Sequence, residues 1–383
     1  MSRIAGRGRH LTVAVTAALA LAACVGMAAS AQASAPAPAG PAWTAETAPV
    51  DAGNLYSEAR LDDHTTWAVG TSFTTNAPLL LSRDDTNGQG WQEVPHPGDT
   101  PSGSWYSSVS ASSAQNAWVA EGSTDSGNVP VHHWDGSTWQ TTQAPAPKHV
   151  GNAALHLAAV SATDVWGAGW YWSDDGAGHQ TLQGMLDHWD GAAWTSVALP
   201  AGVDVANFTA VTATSATDVW AVGHSSADQP AVLHYDGSSW KQATLPKVGL
   251  YGEIRGITVS GPNDVWAVGR VLTSETDSGH ALAMHWNGSS WTRVKTPAQA
   301  GPLSSVAETP SGMLAVGLDH DQANGIALYS TAGTLRMQTL PQVSGAPVQP
   351  AYVDAVGDRL TVVGDVTPAG AGMPAPAVLT SRW

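Results

Sequence analysis

Asp218-Val219-Trp220-Ala221-Val222-Gly223 returns as Asp264-Val265-Trp266-Ala267-Val268-Gly269 and as Asp164-Val165-Trp166-Gly167-Ala168-Gly169. Trp67-Ala68-Val69-Gly70 keeps its core, and Asn116-Ala117-Trp118-Val119-Ala120 is a looser copy. Leu314-Ala315-Val316-Gly317 and Thr361-Val362-Val363-Gly364 retain only the apolar run and its glycine. Gly70, Gly122, Gly169, Gly223, Gly269, Gly317 and Gly364 stand 46 to 54 residues apart, so the chain holds seven copies of one supersecondary unit.

A second segment follows each strong copy. His133-Trp134-Asp135-Gly136-Ser137-Thr138-Trp139 matches His188-Trp189-Asp190-Gly191-Ala192-Ala193-Trp194, and His234-Tyr235-Asp236-Gly237 with Trp240 and His285-Trp286-Asn287-Gly288 with Trp291 are further copies. Asp-Gly or Asn-Gly between short aromatic-bearing runs is a hairpin signal, read here as a type I′ turn with positive φ at both central residues. No helical period survives. Each unit therefore supplies an inner strand such as 209–213, the Trp-Ala-Val-Gly strand and two hairpin arms. Seven four-stranded antiparallel units describe an all-β, seven-bladed β-propeller, because no single blade buries both its faces alone. The Trp of each second strand is expected between blades, where a large ring fills the widening wedge.

The ends predict how the ring closes. Pro41-Ala42-Trp43-Thr44 resembles Ala192-Ala193-Trp194-Thr195, a fourth strand, yet no third strand precedes it. Ala377-Val378-Leu379-Thr380 resembles Ala231-Val232-Leu233-His234, a third strand, and the sequence stops before a fourth. The N-terminal strand is thus expected to complete the last blade.

The Asp-Val-Trp-Ala-Val-Gly and His-Trp-Asp-Gly-x-x-Trp pair resembles repeats of secreted bacterial propellers of actinobacterial type, distantly similar to kelch and WD-repeat propellers. That resemblance implies the fold and says little of activity, since propellers host lectins, scaffolds, lyases and glycosidases. The Ser-x-Asp-x-Gly-x-x-Trp box of sialidase-like propellers is not matched, because Asp and Gly are adjacent here.

Residues 1–33 read as an export signal: Arg3, Arg7 and Arg9, an apolar run over 11–27, then Ala31-Gln32-Ala33 as a cleavage site. Leu21-Ala22-Ala23-Cys24 also fits a lipobox, which would end the signal at residue 23 and lipidate Cys24, the only Cys. The expected locations are accordingly secretion, or lipid anchoring on the outer face of the cell membrane, with no transmembrane span. An Ala/Pro-rich linker over 34–41 leads into one propeller domain over 42–383. That domain has no Cys, so buried area rather than disulfides must hold it together. Losing Arg3, Arg7 and Arg9 leaves 12 basic against 31 acidic residues, a net charge of −19 with His neutral. Such a surface repels phosphate backbones, so nucleic acid is not expected as a partner. A monomer is expected. The 18 Trp beside 2 Phe are explained by a repeat that reserves places for Trp.

Function is sought on the face carrying the loops between strands two and three and between blades, which vary where the other turns are uniform. His133, His188, His234 and His285 occupy equivalent outer positions and cannot converge on one ion, since third strands stand two spacings of ~4.7 Å outside the innermost ring. Asp164, Asp218 and Asp264 are expected to bond backbone amides of their turns. Trp170, Tyr171 and Trp172, in an insert ending Ser173-Asp174-Asp175, fall outside the repeat. Flat aromatics beside carboxylates suit sugar faces and hydroxyls. Trp105 and Tyr106, entering the second blade, are also off-register. Trp170, His224, Arg270, Asp319 and Asp365 follow the repeat glycines and share one rim as candidate ligand contacts. Asp319, Asp321 and Asn324 suggest a calcium loop, although no Glu closes it as in an EF-hand; no other cofactor is expected. Glu253, Arg255, Arg270 and Glu275 are polar groups whose convergence the sequence leaves open, and no compact catalytic motif is present. The expected function is a non-catalytic extracellular recognition or scaffold propeller binding a glycan or protein through its variable face. The alternative is a polysaccharide hydrolase or lyase with carboxylates converging at the central mouth.

Overall fold

The computed structural model describes residues 40–95, 97, 103–122, 127–147, 151–174, 176–331 and 333–383. Among them every regular element is a strand, and the strands form seven four-stranded antiparallel sheets. No helix of the described residues is long and apolar enough to cross a membrane. The export signal, Cys24 and nearly all of the 34–41 linker lie outside the described residues.

Blade four shows the unit. Asn207–Ser215 lies innermost, followed by Asp218–His224, Pro230–Tyr235 and Trp240–Gln242, each bonded to the one before. The other inner strands are Gly53–Arg60, Trp105–Ser113, Ala153–Ser161, Tyr251–Gly261, Ala300–Thr309 and Val348–Val356, of blades one, two, three, five, six and seven. Each packs beside the next, and the seventh beside the first, which closes a seven-bladed β-propeller. Thr44–Glu46 completes blade seven by pairing with Ala375–Arg382 in the register Thr44↔Thr380, Ala45↔Leu379 and Glu46↔Val378.

The core is divided into seven apolar wedges, one between each pair of neighbouring blades. The repeat Trp fills them as expected. Trp67, Trp118, Trp166 and Trp220 are all buried. Trp67 of blade one meets Trp134 and Trp139 of blade two, at ring separations of 6.1 and 5.4 Å, and Trp118 meets Trp189 and Trp194 in the same manner. The two hairpin aromatics pair directly across the strands and form the floor on which the neighbouring Trp sits.

The repeat histidines and acids form one structural device. His234 stacks on Trp220 at 3.9 Å, while Asp218 Oδ1 accepts from His234 Nε2 at 2.7 Å and from Trp220 Nε1 at 3.0 Å. His188 with Asp164 and His285 with Asp264 repeat the acid–imidazole bond. The acids therefore serve the side chains of their own blade rather than turn amides, which corrects the expectation for them. The hairpin turns also differ from expectation. Gly136, Gly191, Gly237 and Gly288 take positive φ, but the Asp or Asn before each does not. These are four-residue loops in which the Asp135-type carboxylate accepts from the amides two and three residues on, at 2.9 and 2.8 Å. Side-chain capping replaces the second positive φ that a type I′ turn requires.

The repeat glycines have a steric cause. A Cβ on Gly70, Gly169, Gly223, Gly269, Gly317 or Gly364 would overlap a backbone carbonyl of the inner strand, such as Asn207 O for Gly223. At Gly122 the Trp105 ring occupies that space instead. In most blades the inner strand carries an irregularity just past this glycine, as between Leu55 and Ser57 or Ile254 and Gly256. Gly223→Ala is expected to cost about 1–3 kcal/mol, as overpacking does. A lowered urea midpoint checks this, and an unchanged midpoint contradicts the steric account.

Candidate functional site

The predicted site residues separate on folding. Tyr106 is wholly buried between blades one and two, edge-on to His132, so it packs the core and meets no ligand. Burial, helped by the Glu121 charge, pushes its hydroxyl well above the ordinary range. Trp105 is half-buried and lies across Gly122. Trp170, Tyr171 and Trp172 are not a loop. They extend the second strand of blade three to Asp174, which pairs with Gln180 in a projecting hairpin. Alternation splits them: Tyr171 packs on the wedge between blades two and three, while Trp170 and Trp172 share the opposite face with Ala168. Asp319 spends both carboxylate oxygens on its own turn, accepting from the Ala323 and Asn324 amides and from Asn324 Nδ2 at 2.7 Å. Asp321 is exposed, and Asp319 and Asn324 close their turn with one another. Asp365 is half-buried on blade seven, and burial raises its carboxyl to about 6. Glu275 is exposed on a turn of blade five.

His224 and Arg270 are brought together. Arg270 Nε approaches Glu253 Oε1 at 3.0 Å, Arg255 Nε binds the same oxygen, and Tyr251 donates its hydroxyl to Oε2. His224 Nδ1 stands 3.8 Å from Glu253 Oε2, and the Arg270 guanidinium lies over the Tyr251 ring at 5.0 Å. Burial disfavours the Glu253 charge, but Arg255, the Tyr251 hydroxyl and Arg270 offset it and hold the carboxyl below its ordinary value. Burial lowers His224, which favours neutral imidazole. Tyr251 is pushed up to about 12 by burial and by its bond to Glu253. The network is thus one carboxylate between two guanidiniums, with an excess of positive charge.

The inner-strand irregularities decide where this network points. An extra residue on one strand re-aims its neighbours, and here it puts Tyr56, Arg255 and Ser304 on the wall of the axial channel. All seven inner strands line this cavity of about 450 Å³, which also receives His156, Asn207, Glu253 and Tyr352. Burial drops the His156 imidazole to about 4. Hydroxyls lock the ring around it: Ser107 Oγ donates to Leu155 O of the next blade at 2.9 Å, and Ser108 Oγ accepts from Leu157 N at 3.0 Å. Tyr56, His156 and Asn207 carry no motif, and no repeat position announced them.

Towards the other end of the inner strands lies a pocket of about 260 Å³, lined in part by Glu58, Arg60, Tyr352 and Asp354. Burial, reinforced by the charge of Asp354, holds the Glu58 carboxyl far above its ordinary value; burial raises Asp354 too. Glu58 is 3% exposed, and its Oε2 has no hydrogen-bond partner. Burial thus disfavours ionisation of both carboxyls.

No protein-family model and no curated protein matches this chain. Solved structures match in fold. One described as YCF48 bound to D1 peptide is 18% identical, with a TM-score of 0.59 over 91% of this chain and 98% of that one. The extracellular domain of the putative hybrid two-component system BT4673 from B. thetaiotaomicron is 10% identical, with a TM-score of 0.57 over 90% of this chain and 40% of that one. A six-bladed fungal lectin from Aleuria aurantia is 12% identical at a TM-score of 0.48, over 75% of this chain and 96% of that one.

Proposed function

We propose that this protein is an exported, non-catalytic recognition propeller that holds a carboxylate-bearing chain, a peptide or an acidic glycan, at the axial mouth of its variable face. One observation carries the reading. Arg255 and Arg270 share the single carboxylate of Glu253, so positive charge concentrates at the mouth of an otherwise acidic protein. Glu253 and Tyr251 fix both guanidiniums before any ligand arrives, which lowers the ordering cost of binding. The Arg255 side chain is 32% exposed on the channel wall, placed to pair with an incoming carboxylate. The neutral His156, Tyr56 and Asn207 add hydrogen bonding around it. A similar propeller has been solved with a peptide, which agrees with a chain-like ligand. Trp170 and Trp172 would flank such a ligand at the rim.

An array pairing acidic with neutral glycans, and free-carboxylate with amidated peptides, tests the reading. Binders are expected among the carboxylates, and Arg255→Ala should weaken them about tenfold to a hundredfold, as loss of a charged hydrogen bond does. Binders indifferent to Arg255→Ala, or equally frequent among neutral probes, would overturn it. The Glu58–Asp354 pair favours a second reading, a polysaccharide hydrolase acting from the other end of the inner strands. Its burial argues against access to a sugar chain. Polysaccharide cleavage by the parent that Glu58→Gln abolishes would establish it instead.

A further inference from the structure

Asp277, His280 and His320 offer donor atoms that all lie within 4.8 Å of one another. The first two belong to the turn and third strand of blade five, the last to the equivalent turn of blade six. We propose that these three side chains form a binding site for a divalent transition metal, zinc foremost, which clamps blade five to blade six on the variable face.

One donor pair already has the spacing of a tetrahedral centre. Donors held at ~2.0–2.1 Å on a tetrahedral ion stand about 3.3 Å apart. His280 Nε2 and Asp277 Oδ2 are separated by 3.4 Å. That is longer than the 2.7–3.2 Å of an ordinary N–H···O bond, so no close hydrogen bond ties the two groups together. The His280 and His320 rings lie parallel with centroids 4.4 Å apart. The stack keeps a donor nitrogen of each ring within reach of one ion.

The surrounding contacts prepare the ligands. His320 Nδ1 is 3.1 Å from Gly279 O, and a carbonyl can only accept, so Nδ1 carries the proton and Nε2 the free lone pair. A backbone carbonyl on the second ring nitrogen is the usual way a protein orients a metal-bound imidazole. Asp277 is held by the Thr273 amide at 2.8 Å, the Thr273 hydroxyl at 2.7 Å and the Gly279 amide at 2.8 Å. The two turns are already joined: Ser278 Oγ donates to His320 O at 2.9 Å, and Gln322 Nε2 donates to Ser278 O at 2.8 Å. Little order remains to be imposed when the ion enters. Two nitrogens and one oxygen suit zinc or its neighbours, whereas calcium takes six to eight oxygens. With three protein donors and His280 39% exposed, the fourth position is open to water or to a donor from a ligand.

The test uses purified protein freed of any affinity tag and stripped with a chelator. Calorimetric titration should give one zinc per chain and no calcium uptake. The His280→Ala/His320→Ala double variant should bind zinc at least a hundredfold more weakly, while His64→Ala, which alters an exposed histidine elsewhere, binds as the parent does. Zinc should raise the melting temperature of the parent and not of the double variant. Cobalt should give the intense visible bands of a tetrahedral centre. Zinc uptake that survives in the double variant overturns the proposal, as does a parent that binds none, or cobalt spectra typical of octahedral hydration. If the double variant melts low without metal, Asp277→Asn provides an independent weakening of the site and must reduce zinc affinity.

Discussion

A chain that begins at Thr47 should melt about 4–7 °C below a chain that begins at Gly40. The deleted segment supplies the outer strand of blade seven, and its contacts tie three blades together. Glu46 Oε1 accepts from Thr380 Oγ1 at 2.8 Å and pairs with Arg83 Nη1 at 2.7 Å, and Glu46 Oε2 accepts from Trp91 Nε1 at 2.9 Å. Ser381 Oγ donates to Ala42 O and Gln338 Nε2 to Pro41 O, while Trp43 packs on the wedge between blades six and seven. Emptying a large aromatic site costs about 3–5 kcal/mol, and the deletion also bares the edge of Ala375–Arg382 to solvent. Since no disulfide holds the ring, that cost should appear directly in a melting curve. Equal melting temperatures for the two chains would show that the ring does not depend on its closing strand.

Asp187→Asn should raise stability at pH 8 by about 2–4 kcal/mol and leave it nearly unchanged at pH 4. Asp187 is fully buried on the third strand of blade three, with one oxygen bonded to Ser196 Oγ at 3.0 Å and the other without a partner. Burial raises its carboxyl to about 7, against the weaker opposing pull of Ser196. An unfolded Asp titrates near 3.9. The folded state therefore binds the proton more tightly, so this group's contribution is complete below about pH 4 and is lost as pH climbs towards 7 and beyond. Each pH unit of that separation is worth about 1.4 kcal/mol. Asn keeps the acceptor for Ser196 and never ionises. Because Glu58 and Asp354 slope the same way, the informative quantity is the difference between parent and variant in denaturant midpoints at the two pH values. Parallel midpoints at pH 4 and 8 would mean that Asp187 is not a buried acid.

The same side chains show how far the sequence was legible. Blade count, strand order and closure could be read directly because each unit restates its own local demands. Gly223 and its equivalents yield to a carbonyl, Trp220 and its equivalents fill a wedge, and Asp236-Gly237 builds a capped turn. These constraints act within a few residues or between identical neighbours, so seven repetitions amplify them above the noise of any one segment. Asp218 is also visible as a repeat position, but its partners are not, since His234 lies on the neighbouring strand.

The site was much less legible. Arg270 and His224 were placed on one rim from their position after the glycines, and their convergence on Glu253 followed only from folding. Trp170 and Trp172 read as an insert in the sequence because their polar neighbours Ser173 and Asp174 hide a strand that continues past the repeat. Tyr106 breaks the repeat yet fills the core. Asp277, His280 and His320 lie on two blades and share no motif. What the sequence alone determined is the ring of seven blades and the strand that shuts it, because local sterics and turn chemistry are written into every copy. What tertiary structure alone decided is which unlike residues meet: the inner-strand irregularities turn single side chains towards the axis, and closure sets one blade's turn against the next.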